Sequence, residues 1–109
     1  MIEITDRAAR ELKSLFDTAG IVQPAIRIYI AESGADIKYG LALADDISDF
    51  DVIMESNGIK IVMSPNVADG FSDGSIDFKS DSKGKTFIIQ NANSDIFSYC
   101  EEYSICDAD

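Results

Sequence analysis

The chain has 109 residues, 46% of them apolar, which suits one folded domain and excludes a chain disordered throughout. Its acidic residues number 20 against 9 basic, for a net charge of -11. Such a surface repels phosphate backbones and anionic lipids, so nucleic acid and membranes are not expected as partners. Basic proteins and metal ions remain chemically suited, as does a role in solubility alone. The start, Met1-Ile2-Glu3-Ile4-Thr5-Asp6, lacks the basic and then apolar order of a secretory signal. Two cysteines, Cys100 and Cys106, make no secreted disulfide framework, so a cytoplasmic protein is expected.

Thr5 is suited to cap a helix, and Asp6 then sits at the positive end of the helix dipole. Ala8, Leu12, Leu15, Phe16 and Ala19 recur at helical spacing, and Gly20 suits the left-handed position that closes a helix. The spacing predicts a helix over about 6–19. The period then changes to two: Ile26, Ile28 and Ile30 alternate with Arg27, Tyr29 and Ala31. Ser33-Gly34 breaks this strand, and Tyr39, Leu41 and Leu43 begin another. An acidic connector, Asp45 to Asp51, leads to Val52–Glu55 and Ile59–Met63, joined around Asn57-Gly58. Asn-Gly accepts the positive φ angles of a type I′ turn, which predicts a hairpin.

Ser64-Pro65 opens a short helical piece through Val67 and Ala68, with serine as cap and proline at the first helical position. Ile76 and Phe78 mark a further strand, Asp81 to Gly84 a turn, and Thr86 to Gln90 the last predicted strand. One helix followed mostly by strands on short turns predicts an α+β fold. Its sheet is expected to be mixed or antiparallel and covered by helix on one side.

Five segments stand out together: the helix opening Ile4-Thr5-Asp6, the strand ending in Ser33-Gly34, the hairpin Asn57-Gly58-Ile59-Lys60-Ile61-Val62, the run Phe71-Ser72-Asp73-Gly74-Ser75-Ile76-Asp77-Phe78, and Asn91-Ala92-Asn93. In this order and spacing they resemble the HesB-like family of A-type iron–sulfur carriers. The resemblance implies one HesB-like domain over 1–109, compact and sandwich-like, with an N-terminal helix, short additional helices, and 94–109 as a C-terminal tail or short helix. It also implies iron–sulfur assembly or iron handling, iron–sulfur assembly or acceptor proteins as partners, and a homodimer.

The family normally carries one cysteine directly after Ser-Gly and a Cys-Gly-Cys pair near the C-terminus. Here the first position is Ala35, and the pair falls on Ser98 and Cys100. Cys106 is an additional thiol, and the chain has no histidine. Thiolates suit iron because soft, charged sulfur completes its tetrahedral shell. One chain offers two thiols, whereas a symmetric dimer offers the four that one bridging cluster needs. Asp36, Glu101 or Glu102 can supply oxygen ligands of weaker affinity for a soft metal. Cys100 and Cys106 are therefore the candidate metal ligands, for an iron–sulfur cluster or iron.

Two other readings of the tail stand beside that one. Ser94 can cap a helix on which Ile96, Cys100 and Tyr103 face inward, making Cys100 a small buried hydrophobe. On such a helix Cys106 lies about 240° round the axis from Cys100, so the two cannot share a metal. Alternatively, a tail that turns back can join both thiols as a local disulfide or redox pair. Without histidine or a nucleophile signature, the chain is not expected to be an enzyme. A cluster-free protein-interaction module on the same fold is the alternative function.

Overall fold

The computed structural model describes residues 1–32, 37–44, 47–71, 73–82, 84–92 and 96–101, with residues 32, 81 and 96–101 described through their backbone alone. The elements run β1 (Ile2–Ile4), α1 (Asp6–Ala19), β2 (Ala25–Glu32), β3 (Lys38–Leu43), β4 (Val52–Ser56), β5 (Ile59–Met63), α2 (Pro65–Gly70), β6 (Gly74–Asp81), β7 (Gly84–Asn91) and β8 (Ile96–Glu101). The α+β expectation holds, with a difference in layering. The strands form two four-stranded sheets, ordered β1-β6-β7-β8 and β3-β2-β5-β4, each with one parallel pair.

Helix α1 forms where its sequence signals place it. Thr5 accepts a hydrogen bond from the Ala8 amide, and Gly20 closes the helix at φ 74°. Its inward stripe, Ala8, Ala9, Leu12 and Phe16, is buried. Leu12 and Phe16 each contribute roughly 1.5–3 kcal/mol by leaving water. They join Ile26, Ile28, Leu41 and Ile61 of one sheet and Ile76, Phe78, Phe87 and Ile89 of the other in one core. β1 lies beside β4 and β8 beside β3, so the sheets approach along both edges.

The Asn57-Gly58 turn has φ angles of 55° and 79°, as a type I′ hairpin requires. Asn57 Nδ2 also donates to the Ile4 carbonyl at 3.1 Å and to Asp6 Oδ1 at 2.8 Å, tying the hairpin to the start of α1. In α2, Pro65 occupies the first turn as expected, but the Ser64 side chain makes no capping bond. Proline at the first helical position removes one of that turn's unpaired amides and presets its φ angle, and α2 forms without the side-chain cap.

Two carboxylates fasten neighbouring elements, one tying α1 to β6 and the other tying the connector before β4 to β2. Asp77 of β6 accepts from Arg7 at 2.7 and 2.8 Å, from the Thr5 hydroxyl at 2.7 Å and from the Phe78 amide at 2.7 Å. The Arg7 hydrogen bonds, aided by Thr5 and Phe78, hold Asp77 well below the usual carboxylate range. Asp51 accepts from Arg27 at 3.1 and 2.8 Å and from the Ser48 amide at 2.8 Å. Arg27, then the Ser48 amide, lowers Asp51 to about 2.

Both groups bind fewer protons folded than unfolded, so their contribution is present above about pH 4. It drains as pH falls from there towards 2. Urea midpoints are expected to be flat from pH 7 to 5 and to drop steeply below 4. The Asp51→Asn, Asp77→Asn double variant should start lower at pH 7 and lose less on acidification; a parallel drop in both proteins would refute the assignment.

Candidate functional site

Of the expected ligand positions, Ser98 and Cys100 lie on β8, which runs beside β3. β3 is entered from residues 33–36, the stretch that includes Ala35, and β8 carries Ser98 and Cys100. Because β8 lies beside β3, the strand that bears Cys100 neighbours the strand that Ala35 precedes. Ser98 is registered opposite Ile89 of β7, and Cys100 opposite Phe87. Ala35, Asp36, Glu102 and Cys106 lie outside the described residues, and Ser98, Cys100 and Glu101 are placed by backbone only. Among the described residues no three histidine, cysteine, aspartate or glutamate side chains gather as a metal site.

Residues 96–101 form a strand, which overturns the packed-helix reading of Cys100. Ile96, Phe97 and Tyr99 favour extended backbone, and β7 supplies a partner for every residue from Ile96 to Glu101. Ladder hydrogen bonds along that edge outweigh a helical spacing carried by a few positions. The angular separation of Cys100 and Cys106 on a helix therefore no longer applies.

One buried polar side chain ties β7 to β3. Asn91, at the end of β7, is 2% exposed and donates its amide hydrogens to the Tyr39 hydroxyl at 3.0 Å and the Gly70 carbonyl at 2.9 Å. Tyr39 begins β3 and meets Phe71 edge-on, with ring centroids 4.8 Å apart. Asn91 thus joins β7, β3 and the end of α2 at the point where the chain leaves for β8. In the sequence it shows only as the first residue of Asn-Ala-Asn, and nothing there names its partners. An asparagine closing a strand so rich in apolar residues is the one available signal.

A family model described as iron-sulphur cluster biosynthesis matches residues 1–100. The chain belongs to that family. Among its relatives, the iron-sulfur cluster insertion protein ErpA of Pseudomonas savastanoi pv. phaseolicola is 27% identical over 100 residues, covering 91% of this chain and 86% of its own. An ErpA relative from Nitrosospira multiformis is 31% identical over 88 residues, covering 80% and 69%. The crystal structure of IscA with the [2Fe-2S] cluster superposes with a TM-score of 0.66 at 26% identity, over 85% of this chain and 84% of that one. Escherichia coli SufA, at 19% identity and a TM-score of 0.71 over 85% and 82%, shows the same fold.

The recognition of an A-type carrier fold therefore stands. Some segments that carried the resemblance build the family's frame. Asp77 of Ile76-Asp77-Phe78 anchors α1, Gly74 admits the backbone of β7, and Asn57-Gly58 ties the hairpin to α1. Such contacts give those residues structural roles that do not involve a thiol.

Proposed function

We propose that this protein is an A-type carrier that takes up an iron–sulfur cluster as cargo and passes it to acceptor proteins. The observation that supports this reading is the family match over residues 1–100, with Cys100 retained on the strand beside β3. The donor set decides the stoichiometry. Two thiols per chain cannot complete a four-thiolate site, whereas Cys100 and Cys106 from two chains can. The working form is accordingly a homodimer, and the compartment the reducing cytoplasm, where thiols stay free. No helix among the described residues is long and apolar enough to cross a membrane.

Ala35 and Ser98, at positions where the family carries thiols, favour a second reading: a protein-interaction module that keeps the fold without the cluster. Anaerobic addition of ferrous iron and sulfide, followed by desalting, separates the two. The carrier predicts a brown protein with sulfide-to-iron charge-transfer bands, about two thiols from each chain per cluster, and loss of the bands in Cys100→Ser. A colourless, folded wild-type protein would reject the carrier and leave the interaction module.

A further inference from the structure

The exposed apolar side chains include a group at one end of the β3-β2-β5-β4 sheet. The connector that crosses there is held rigidly. Asp51 is only 7% exposed in its side chain and is gripped by Arg27. The Ser48 amide donates to Asp51, the Asp51 amide donates to the Ser48 carbonyl at 3.2 Å, and the Phe50 amide donates to the Ser48 hydroxyl at 3.3 Å. At the crest of this locked turn Phe50 is 82% exposed. Ile47, 41% exposed, precedes the turn, and Ile53, 49% exposed, follows it on β4.

A cleft of about 370 Å³ opens beside the connector, lined by Ile21, Ala25, Leu43, Ala44, Ile47 and Lys60. Ile47 belongs to both features, so the aromatic knob and the apolar cleft form one surface. The hydrogen bonds hold the backbone beneath Phe50, so little backbone entropy remains to be lost when this exposed aromatic, beside an apolar hollow, anchors a partner.

The charges select the occupant. Asp49 and Glu55 are exposed on either side of Phe50 and Ile53, while Asp51 is neutralised by Arg27. Lys60 stands opposite Glu55 in the β4–β5 register. A second copy of this chain would bring the same carboxylates and the same net charge of -11 to the contact. Among the described residues lining the cleft Lys60 is the one cation, and Glu55 opposite it offsets its charge, which leaves Asp49 to favour a cationic ligand over an anionic one. The matching chemistry is a segment that alternates apolar side chains with lysine or arginine.

We propose that the 47–53 connector and its adjoining cleft dock a basic, amphipathic segment of a partner protein. None of the residues that form this surface is one of the candidate cluster ligands, so the proposal does not rest on cluster binding.

The test is amide chemical-shift mapping of the full chain with a short peptide of alternating lysine and leucine, beside a glutamate–leucine peptide of equal length. The lysine peptide is expected to shift the amides of Ile47, Phe50, Ile53 and Lys60. It should weaken roughly thirtyfold in Phe50→Ala and roughly tenfold when salt is raised well above physiological strength. The exposure of Phe50 predicts an unchanged fold in that variant, checked by its amide spectrum. The proposal is overturned by absent binding, by shifts centred elsewhere, by equal affinity in Phe50→Ala, or by equal binding of the glutamate peptide. Self-association of the free protein that disappears in Phe50→Ala would assign the surface to a second copy instead.

Discussion

Alanine at Gly74 is expected to cost about 3 kcal/mol and to lower the melting temperature by roughly 10–20 °C. Gly74 pairs with Asn91 across β6 and β7 and with Ile2 across β6 and β1. A methyl group there would run into the backbone carbonyl of Gln90 and come within 2.8 Å of the Phe71 ring. Neither neighbour can yield cheaply, because one is the strand itself and the other is fully buried. Relief requires β6 and β7 to part at the point where β1 also pairs.

Gly40 gives the contrast. A methyl group there meets only the far end of the Tyr29 side chain, at 2.5 Å, and that partly exposed ring can swing aside. Gly40→Ala is expected to cost about 1 kcal/mol or less. Thermal melts of the two variants side by side provide the measurement. A Gly74→Ala protein that melts within a few degrees of wild type would show that the strand approach is wrong.

The second large effect is expected from Asn91→Asp, a change of one atom in a group 2% exposed. The new oxygen would face the Gly70 carbonyl, now 2.9 Å from a donating nitrogen. As a carboxylate it loses both donated bonds and its hydration, at a cost of about 3 kcal/mol near neutral pH. As a neutral acid it regains a proton to donate. Its folded pKa is therefore raised above its unfolded value, and stability is regained as pH falls towards the unfolded one. Urea unfolding should show the variant gaining stability between pH 7 and 5, where wild type is flat. A variant equally destabilised at both values would mean that Asn91 fills space rather than donating.

The parts of this fold legible in the sequence are those whose cause is local. Helix α1 is written in Thr5, its apolar stripe and Gly20, and the β4–β5 hairpin in Asn57-Gly58. β1 has three residues, and only its parallel pairing with Gly74–Ile76 makes it a strand. β8 satisfies two periodicities, and the choice between them belongs to β7. Asp51 reads as one acid in an acidic connector, because its arginine lies 24 positions earlier. At the candidate site, Cys100 was found through the resemblance, whereas Asn91 depends on partners 52 and 21 positions away. How the strands divide between the two sheets has no local signal either, since strand neighbours across long separations leave no local trace.

The parallel pairing of β1 also sets the order in which the molecule can be completed. Every pairing in the β3-β2-β5-β4 sheet lies between residues 25 and 63, so that layer is whole before the chain is two-thirds made. The other layer needs Ile2–Ile4 to meet Gly74–Ile76 and cannot exist on a shorter chain. On the ribosome, β1 is made well before β6 and is thus held without that partner while the centre of the molecule forms. During that interval Ile2, Ile4 and the inner face of α1 lack the β6 surface that finally covers them. β8 follows the other described strands, so the strand that carries Cys100 is laid down on a β7 that is already made.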